Sequence, residues 1–254
     1  MTTLNRTLWF GGSVGVAALL IAGWQLIASY SGIPPVFLPG PDRAWNALVT
    51  GFFDGELGAL TWATVQRMLY GWLLASLAGI VVGALIGSSL RAREYIQPTL
   101  ELVRPVPVSA FMPVVMAFLG LSGFMVTVVI SIGAIWPVLL ATIYGVSNVE
   151  PRLVEVSRSL RFGGFQRLWK FSLPNAQVDI LAGMRLGLTV SLILAVIGEM
   201  LTSEYGLGFS ILQAARSYQS DQLFAGVIVL GVIGLISNLA LQAFEWRMLR
   251  WTRR

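Results

Sequence analysis

The stretch ILAGMRLGLTVSLILAVIGEML, residues 180–201, is almost entirely apolar and holds two charged side chains, Arg185 and Glu199. A helix of about 20 apolar residues crosses the hydrocarbon core of a bilayer, because a helix satisfies its backbone polar groups without water. This stretch therefore predicts a membrane-spanning helix. The composition agrees, since 56% of the 254 residues are hydrophobic and 11% are charged, against about 25% charged residues in a soluble domain.

Five other apolar stretches predict further spans, at residues 8–30, 61–90, 105–121, 124–146 and 223–244. The first is longer than the apolar core of a signal peptide, about 7–15 residues, and no small-residue cleavage site follows it, so we interpret it as a retained span. The third is short, starts at Pro105 and carries Pro107 and Pro113. The sequence thus predicts an all-α, polytopic integral membrane protein with about six transmembrane helices.

The basic residues predict the orientation of these spans. Of the 17 Lys and Arg residues, 14 lie in the N-terminal tail, the 91–104 loop, the 148–185 segment or the C-terminal tail. Cytoplasmic loops of membrane proteins hold the excess of Lys and Arg, so we expect both termini to be cytoplasmic. The net charge of +5 fits contact with anionic membrane lipid. We expect no nucleic acid partner, since no basic face on a soluble fold is predicted.

Several kinds of reaction centre are excluded by composition. The chain has no Cys and no His, which removes disulfides, thiolate or imidazole metal ligands, and Ser-His or Cys-His nucleophile pairs. It has no G-x-x-x-x-G-K-[ST] phosphate loop, and its sole lysine, Lys170, does not follow glycines at that spacing. We therefore expect no catalytic residue, no metal site and no cofactor in this chain.

Residues 148–176 form the longest polar and basic interruption of the apolar sequence, and they predict two short helices outside the membrane. Pro151 lies in the first turn of the first helix, where a missing N–H costs little, and Gly163 and Gly164 end that helix. The second helix is amphipathic and is expected to stop at Pro174. It suits a membrane interface with its arginines on lipid phosphate. The first helix, with acidic, basic and small residues, suits a groove in another protein.

Within this segment, the order Glu155, Ser157, Gly-Gly, Leu-Pro resembles the EAA loop of membrane-spanning subunits of ATP-binding-cassette importers. In that family Glu-Ala-Ala is followed by Gly and then by Leu-Pro, and the loop forms a coupling helix that docks on a separate ATPase. Here Val156 and Ser157 replace the alanines. Arg161 stands where the glycine is expected, and the Gly-Gly pair two residues later is a candidate for the turn instead. The resemblance implies these coupling residues: Glu155, Ser157, Arg158, Leu160, Gly163, Gly164, Leu173 and Pro174.

Four other segments resemble permeases of the nitrate, sulfonate and taurine subgroup, in the same order along the chain. They are FLPGPDRAWNAL at 37–48, LVRPVPVSAFMP at 102–113, LAGMRLGL at 181–188 and VIGEMLTSEYGLGFSI at 196–211. Each motif is weak alone, and together they extend the resemblance over most of the chain from Phe37 onward.

This resemblance implies a type I importer permease fold in a single permease domain, residues 1–254. The domain would hold the N-terminal span at 8–30, a core bundle at 60–248 and the cytoplasmic coupling loop at 148–176. The resemblance also implies a bacterial inner-membrane location, a second copy of this chain, an ATPase subunit that carries ATP and Mg, and an extracytoplasmic solute-binding protein. The solute is expected to be small and anionic or aromatic. A self-sufficient secondary transporter or channel is the alternative function.

Charged residues inside predicted spans are functional candidates, because a charge in lipid is costly. Arg67 and Glu199 lie at similar depths from the outer ends of their spans, so a mutual ion pair is one prediction. Such a pair either fixes helix packing or lines an outer gate that meets an anionic substrate, and the sequence leaves both open. We interpret Asp179 and Arg185 as structural, with Asp179 at a helix N-terminus and Arg185 reaching lipid phosphate.

Glycines recur at every fourth position in two spans, at Gly79, Gly83 and Gly87 and again at Gly183 and Gly187. Small residues at this spacing let helices approach closely. We therefore predict close helix packing along both stripes.

Overall fold

The computed structural model describes the backbone of residues 3–249 and the side chains of residues 15–150, 152–157 and 159–249. Every regular element in this part of the chain is helical, which confirms the all-α class. The α-helices are α1 Thr3–Tyr30, α2 Pro41–Phe53, α3 Leu57–Gly87, α4 Leu90–Val103, α5 Met112–Leu119, α6 Gly123–Ser147, α7 Pro151–Ser159, α8 Gly164–Arg167, α9 Leu173–Asn175, α10 Gln177–Thr202, α11 Leu207–Arg216 and α12 Ser220–Met248. A 3₁₀ turn precedes α5 at Val108–Phe111, and a π turn joins α8 to α9 at Leu168–Ser172.

Four helices, α3, α6, α10 and α12, are long and apolar enough to cross a membrane. A fifth crossing is counted if α4 and Val108–Leu119, which are bent by 79° against each other, form one span. In α1 the apolar stretch within the described part is Gly15–Tyr30, which is shorter than the 18 residues of a full crossing. The polytopic membrane class is thus confirmed, with four or five crossings in the described residues where the sequence predicted about six.

The predicted third span, residues 105–121, is wrong as a continuous helix. The chain leaves α4 at Val103, is extended at Pro107 (φ −63°, ψ 117°), and re-enters helix through the 3₁₀ turn and the eight-residue α5. Pro105 and Pro107 donate no N–H to a preceding turn, and a proline disfavours helical backbone in the residue before it. The expected loop at 91–104 is also corrected, because α4 covers it.

Internal packing divides the chain into two compact units. One comprises Met1–Leu60 and Ser210–Leu230, and the other comprises Thr61–Phe209 and Gly231–Arg254. The organisation as a single permease domain over residues 1–254 stays a prediction.

In the first unit, aromatic contacts hold the end of α1 against α12. Trp24 stacks on Phe224 with the ring centroids 5.5 Å apart. Its indole N–H donates to the carbonyl of Pro39 at 3.0 Å. The ring of Phe37 meets the ring of Tyr218 edge-on. The proline-rich connection after α1 is therefore fixed to its own unit by ring contacts and by hydrogen bonds from the Trp24 indole and the Ser220 hydroxyl.

In the second unit, α6 is the central helix, and both glycine stripes face it. A Cβ added at Gly83 of α3 would lie 2.8 Å from the carbonyl oxygen of Leu139. A Cβ added at Gly183 of α10 would lie 2.7 Å from the carbonyl oxygen of Pro137. Both distances are too short for any side chain, so α3 and α10 reach the α6 backbone because glycine stands at these positions. The same contact with α6 is made at Gly79, Gly87 and Gly187. The predicted close packing is confirmed.

Candidate functional site

Helix α7 carries the first part of the predicted coupling loop. Ser157 faces the protein interior: 1% of its surface is exposed, and its hydroxyl donates to the carbonyl of Val154 at 2.7 Å. Glu155, two residues earlier, is exposed. The side chain of Arg158 lies outside the described residues. The helix therefore has one attached side and one accessible side.

The turn that ends α7 is made at Arg161, whose φ of 53° is left-handed. The N–H of Phe162 donates to the carbonyl of Ser157 at 3.1 Å, which is the bond that a left-handed residue allows at a helix C-terminus. Gly163 is extended (φ −65°, ψ 162°) and begins the next helix, and Gly164 has no positive φ. The Gly-Gly pair as the source of the turn is therefore wrong. Arg161 adopts the conformation for which the expected glycine would be suited.

After Arg161 the helical path continues through Pro174 instead of stopping there. The N–H of Leu173 donates to the carbonyl of Leu168, five residues earlier, in the π turn. Pro174 then lies in the first turn of α9, where its missing N–H costs little. The predicted stop at Pro174 is corrected for that reason.

Two leucines attach this segment to the membrane helices. Leu168 and Leu173 pack on a buried apolar cluster whose members belong to α3, α6 and the start of α10: Ala84, Val146, Ala176 and Ile180. The segment is therefore packed against three long helices at once.

Other large apolar side chains of the segment are accessible. The exposed fractions are 48% for Val156, 59% for Leu160, 79% for Phe165 and 66% for Trp169. Apolar groups clustered on an exposed segment indicate a surface that binds protein or lipid.

Glu199 of α10 is fully buried, with 0% of its surface exposed. Its carboxylate accepts hydrogen bonds from Arg67 Nη1 at 2.6 Å, the Thr64 hydroxyl at 2.9 Å and the N–H of Gly208 at 2.9 Å. A buried charge is tolerated when it is paired and hydrogen-bonded. Arg67 supplies the opposite charge, and all three donors supply hydrogen bonds. The structure thus brings Arg67 and Glu199 together.

The same two α3 residues also hold the chain that follows α10. The Thr64 hydroxyl accepts a hydrogen bond from the N–H of Leu207 at 2.9 Å. Arg67 Nη2 donates to the carbonyl of Tyr205 at 2.8 Å. The buried ion cluster, which we define as Thr64, Arg67 and Glu199, therefore joins α3, α10 and the start of α11.

Sequence reasoning missed Thr64 and the backbone of residues 204–208 as parts of this cluster. The available signal was the pair of glycines in EYGLG. A side chain at Gly206 would collide with the Glu199 carboxylate, and one at Gly208 would collide with the carbonyl of Val196. At both glycines, the backbone of the chain that follows α10 therefore lies in close contact with α10.

Arg185 forms an ion pair with Glu245 of α12, so its expected reach to lipid phosphate is corrected. Glu245 was missed because the predicted sixth span ended at residue 244, whereas α12 continues to Met248. The extra turns of α12 place the carboxylate beside α10.

The comparison with protein families gives a match over most of the chain. The family described as binding-protein-dependent transport system inner membrane component matches residues 75–250. The chain belongs to this family.

Two relatives and one solved structure agree with this membership. The taurine transport system permease protein TauC of Escherichia coli (strain K12) is 32% identical over 94% of this chain and 89% of TauC. SsuC of Bacillus subtilis (strain 168), a permease protein named for aliphatic sulfonates transport, is 31% identical over 96% of this chain and 88% of SsuC. The inward-facing MetNI methionine ABC transporter has a TM-score of 0.66 at 17% identity, over 76% of this chain and 95% of that chain. This last similarity shows the shared fold.

As a member of this inner membrane component family, the chain is the permease subunit of an ATP-binding-cassette importer. It is a transport component, and the ATPase is a separate subunit. Among the described residues, no group of three or more Asp, Glu, His or Cys side chains is placed to hold a metal ion.

The buried ion cluster predicts a large cost for removing its carboxylate. Glu199→Ala should lower the free energy of unfolding by about 3–5 kcal/mol, because it removes the buried carboxylate that pairs with Arg67 and accepts hydrogen bonds from Thr64 and Gly208. The measurement is denaturant unfolding in mixed micelles. Glu204→Ala is the matched control, since Glu204 is 29% exposed and 3.5 Å from Arg67, and it should cost about 0–1 kcal/mol. Equal losses in the two variants would contradict this assignment.

The left-handed residue at the end of α7 predicts a stabilising substitution. Arg161→Gly should stabilise this turn by about 1 kcal/mol, because glycine has no Cβ to clash in the left-handed region. Hydrogen exchange at the Phe162 amide should slow about fivefold, whereas Arg161→Ala, which keeps the Cβ, should not slow it. Equal exchange rates in both variants would show that the strain at residue 161 is absent.

Proposed function

We propose that residues 148–176 form the surface on which the separate ATPase subunit binds, and that this surface transmits ATP-driven movement to the membrane helices. The observation that supports this most directly is that the same segment has apolar side chains packed against the membrane helices and others that are exposed. Leu168 and Leu173 pack against the membrane helices, while Leu160 and Phe165 remain accessible. A segment that couples two proteins needs both an attached side and a free side.

The coupling residues divide into two roles in this proposal. Glu155 and Leu160 are accessible and would contact the ATPase, with Arg158 beside them in the sequence. Ser157 and Leu173 would attach the segment to the bundle. Three further residues would set the path of the backbone between these contacts: Gly163, Gly164 and Pro174.

We further propose an assembly of two copies of this chain in the bacterial inner membrane, with both termini in the cytoplasm. The distribution of basic residues supports this orientation. ATP and Mg would be bound by the ATPase subunit, and a solute-binding protein would deliver substrate on the opposite side. Anionic lipid would cover the remaining apolar faces.

The proposed substrate is a small organic solute that carries an anionic sulfonate group, of the alkanesulfonate or taurine type. Support comes from TauC and SsuC, which are named for such solutes and match almost the whole chain. Transport of one of these solutes is therefore the first activity to assay.

For the buried ion cluster, we propose a structural role at the outer end of α10 instead of substrate contact. The Glu199 carboxylate has no exposed surface. Both terminal nitrogens of Arg67 already donate, one to Glu199 and one to the carbonyl of Tyr205. A passing anion would have to displace these bonds before it could reach the guanidinium.

The coupling proposal predicts loss of ATPase binding when the accessible side is altered. With Leu160→Ala and with Glu155→Ala, affinity for the ATPase should fall by about tenfold or more, the effect of losing an interface hot spot. The readouts are co-purification of the ATPase and ATP-driven uptake of taurine and an aliphatic sulfonate into proteoliposomes that contain the permease, its ATPase and its binding protein.

Leu121→Ala is the matched control, because Leu121 is 63% exposed, close to the 59% of Leu160, and lies between α5 and α6, outside residues 148–176. It should leave ATPase binding unchanged. Normal co-purification and full uptake in both coupling variants would refute the docking surface. Full docking with no uptake of either solute would refute the substrate class alone.

A further inference from the structure

A groove of about 360 Å³ lies behind residues 148–176, the coupling segment, on the side that faces the membrane helices. Its walls come from the end of α3, the start of α4, the end of α6, α7 and the 164–172 stretch. The volume falls at the lower end of the range for small-molecule sites, about 300–1,000 Å³. The groove is therefore large enough for one small ligand or one lipid headgroup.

Two guanidinium groups line this groove, Arg93 from α4 and Arg167 from α8. Both side chains are half-buried, and the structure shows no ion pair between either one and any described residue. Arg93 also borders a shallow hollow with Glu94 and Glu101, and neither carboxylate is within ion-pair distance of it. No described acidic side chain lines the groove itself. Two positive charges thus share a recess without a counter-charge.

Three serine hydroxyls at the rim are already used. Ser88, Ser147 and Ser157 donate to carbonyls one turn earlier in their own helices, at 2.8, 3.0 and 2.7 Å. Ser172 also lines the groove, so the side-chain hydrogen-bond donors that remain for a ligand among the described residues are the Ser172 hydroxyl and the two guanidinium groups. A guanidinium presents N–H groups in a fork that matches the oxygens of phosphate, sulfonate and carboxylate.

The rest of the lining is apolar, with Val146, Leu153, Leu168 and Phe171 among its residues. A free inorganic ion would leave this apolar surface in contact with water. An anion with a hydrocarbon part would bury that surface while its oxygens meet the arginines.

We propose that this groove binds an oxyanion that carries an aliphatic part, a phosphate ester or an organic sulfonate, through Arg93 and Arg167. Two sources share this chemistry: an anionic phospholipid of the cytoplasmic leaflet and a free alkyl sulfonate. Because the walls belong to the coupling segment and to α3, α4 and α6, an occupant would hold that segment against these helices. This site lies on the membrane-helix side of residues 148–176, whereas the side chains proposed to contact the ATPase are the accessible ones, and its test does not need the ATPase.

The test uses the full chain, purified in a neutral detergent, with hexanesulfonate and phosphatidylglycerol as probes. Each probe is titrated while thermal unfolding and hydrogen exchange of residues 151–172 are followed. At least one probe should raise the unfolding temperature saturably and slow exchange in this segment. Arg93→Gln and Arg167→Gln should each weaken that probe about tenfold or more, as expected for loss of a charged hydrogen bond.

Two matched controls keep the net charge of the variants. They are Arg91→Gln and Arg152→Gln. Arg91 lies on the same helix as Arg93, and Arg152 lies on α7. Both arginines are exposed and do not line the groove. Both controls should bind the probes as the native chain does. Stabilisation by hexanesulfonate alone identifies a free organic anion, and stabilisation by phosphatidylglycerol alone identifies lipid.

Absence of saturable stabilisation by either probe would overturn the proposal, and so would equal weakening in the controls. If one glutamine variant does not fold, the other variant and the exchange of the native chain decide the question. In that case, unchanged exchange of residues 151–172 on addition of both probes would also overturn it.

Discussion

The second unit depends on one fully buried carboxylate, Glu199. A charge removed from water must be paired and hydrogen-bonded, and the cost of an unpaired one exceeds most single packing terms. This requirement places Arg67 and Thr64 on the facing side of α3 and brings the N–H of Gly208 to the carboxylate. It also excludes a side chain at Gly206, whose Cβ would collide with the carboxylate. One buried charge thus fixes the position of two long helices and of the chain that follows α10.

Helix α10 connects this cluster to the coupling segment. Its N-terminal neighbour Ala176 belongs to the buried apolar cluster against which Leu168 and Leu173 pack, and Glu199 lies near its other end. Its 26 residues span about 39 Å at 1.5 Å per residue. Along its length, Gly183 and Gly187 lie against α6. In the proposed function, movement of the ATPase is therefore transmitted through the coupling segment to α10, whose other end is held by the buried ion cluster.

Much of this organisation followed from residue patterns, because lipid allows few backbone solutions. The presence and approximate positions of α3, α6, α10 and α12 and the glycine contacts followed from apolar length and a four-residue spacing. The bent course of residues 105–121 did not, since composition alone does not show where prolines break a helix. The left-handed Arg161 was also unexpected, because the Gly-Gly pair was the candidate for the turn, whereas the backbone turns where the family pattern has glycine. The Thr64 contact joins residues 135 positions apart, which no local pattern reveals.

A double-mutant cycle on Arg67 and Glu199 tests the central claim most directly. The two single methionine variants and the double variant, Arg67→Met with Glu199→Met, are compared by unfolding in mixed micelles. If the buried pair holds α3 and α10 together, each single variant loses the same interaction, and the double variant is more stable than the sum of the two losses by about 2 kcal/mol. Additivity within about 0.5 kcal/mol would contradict the account, because it would mean that the two charges do not interact in the folded protein.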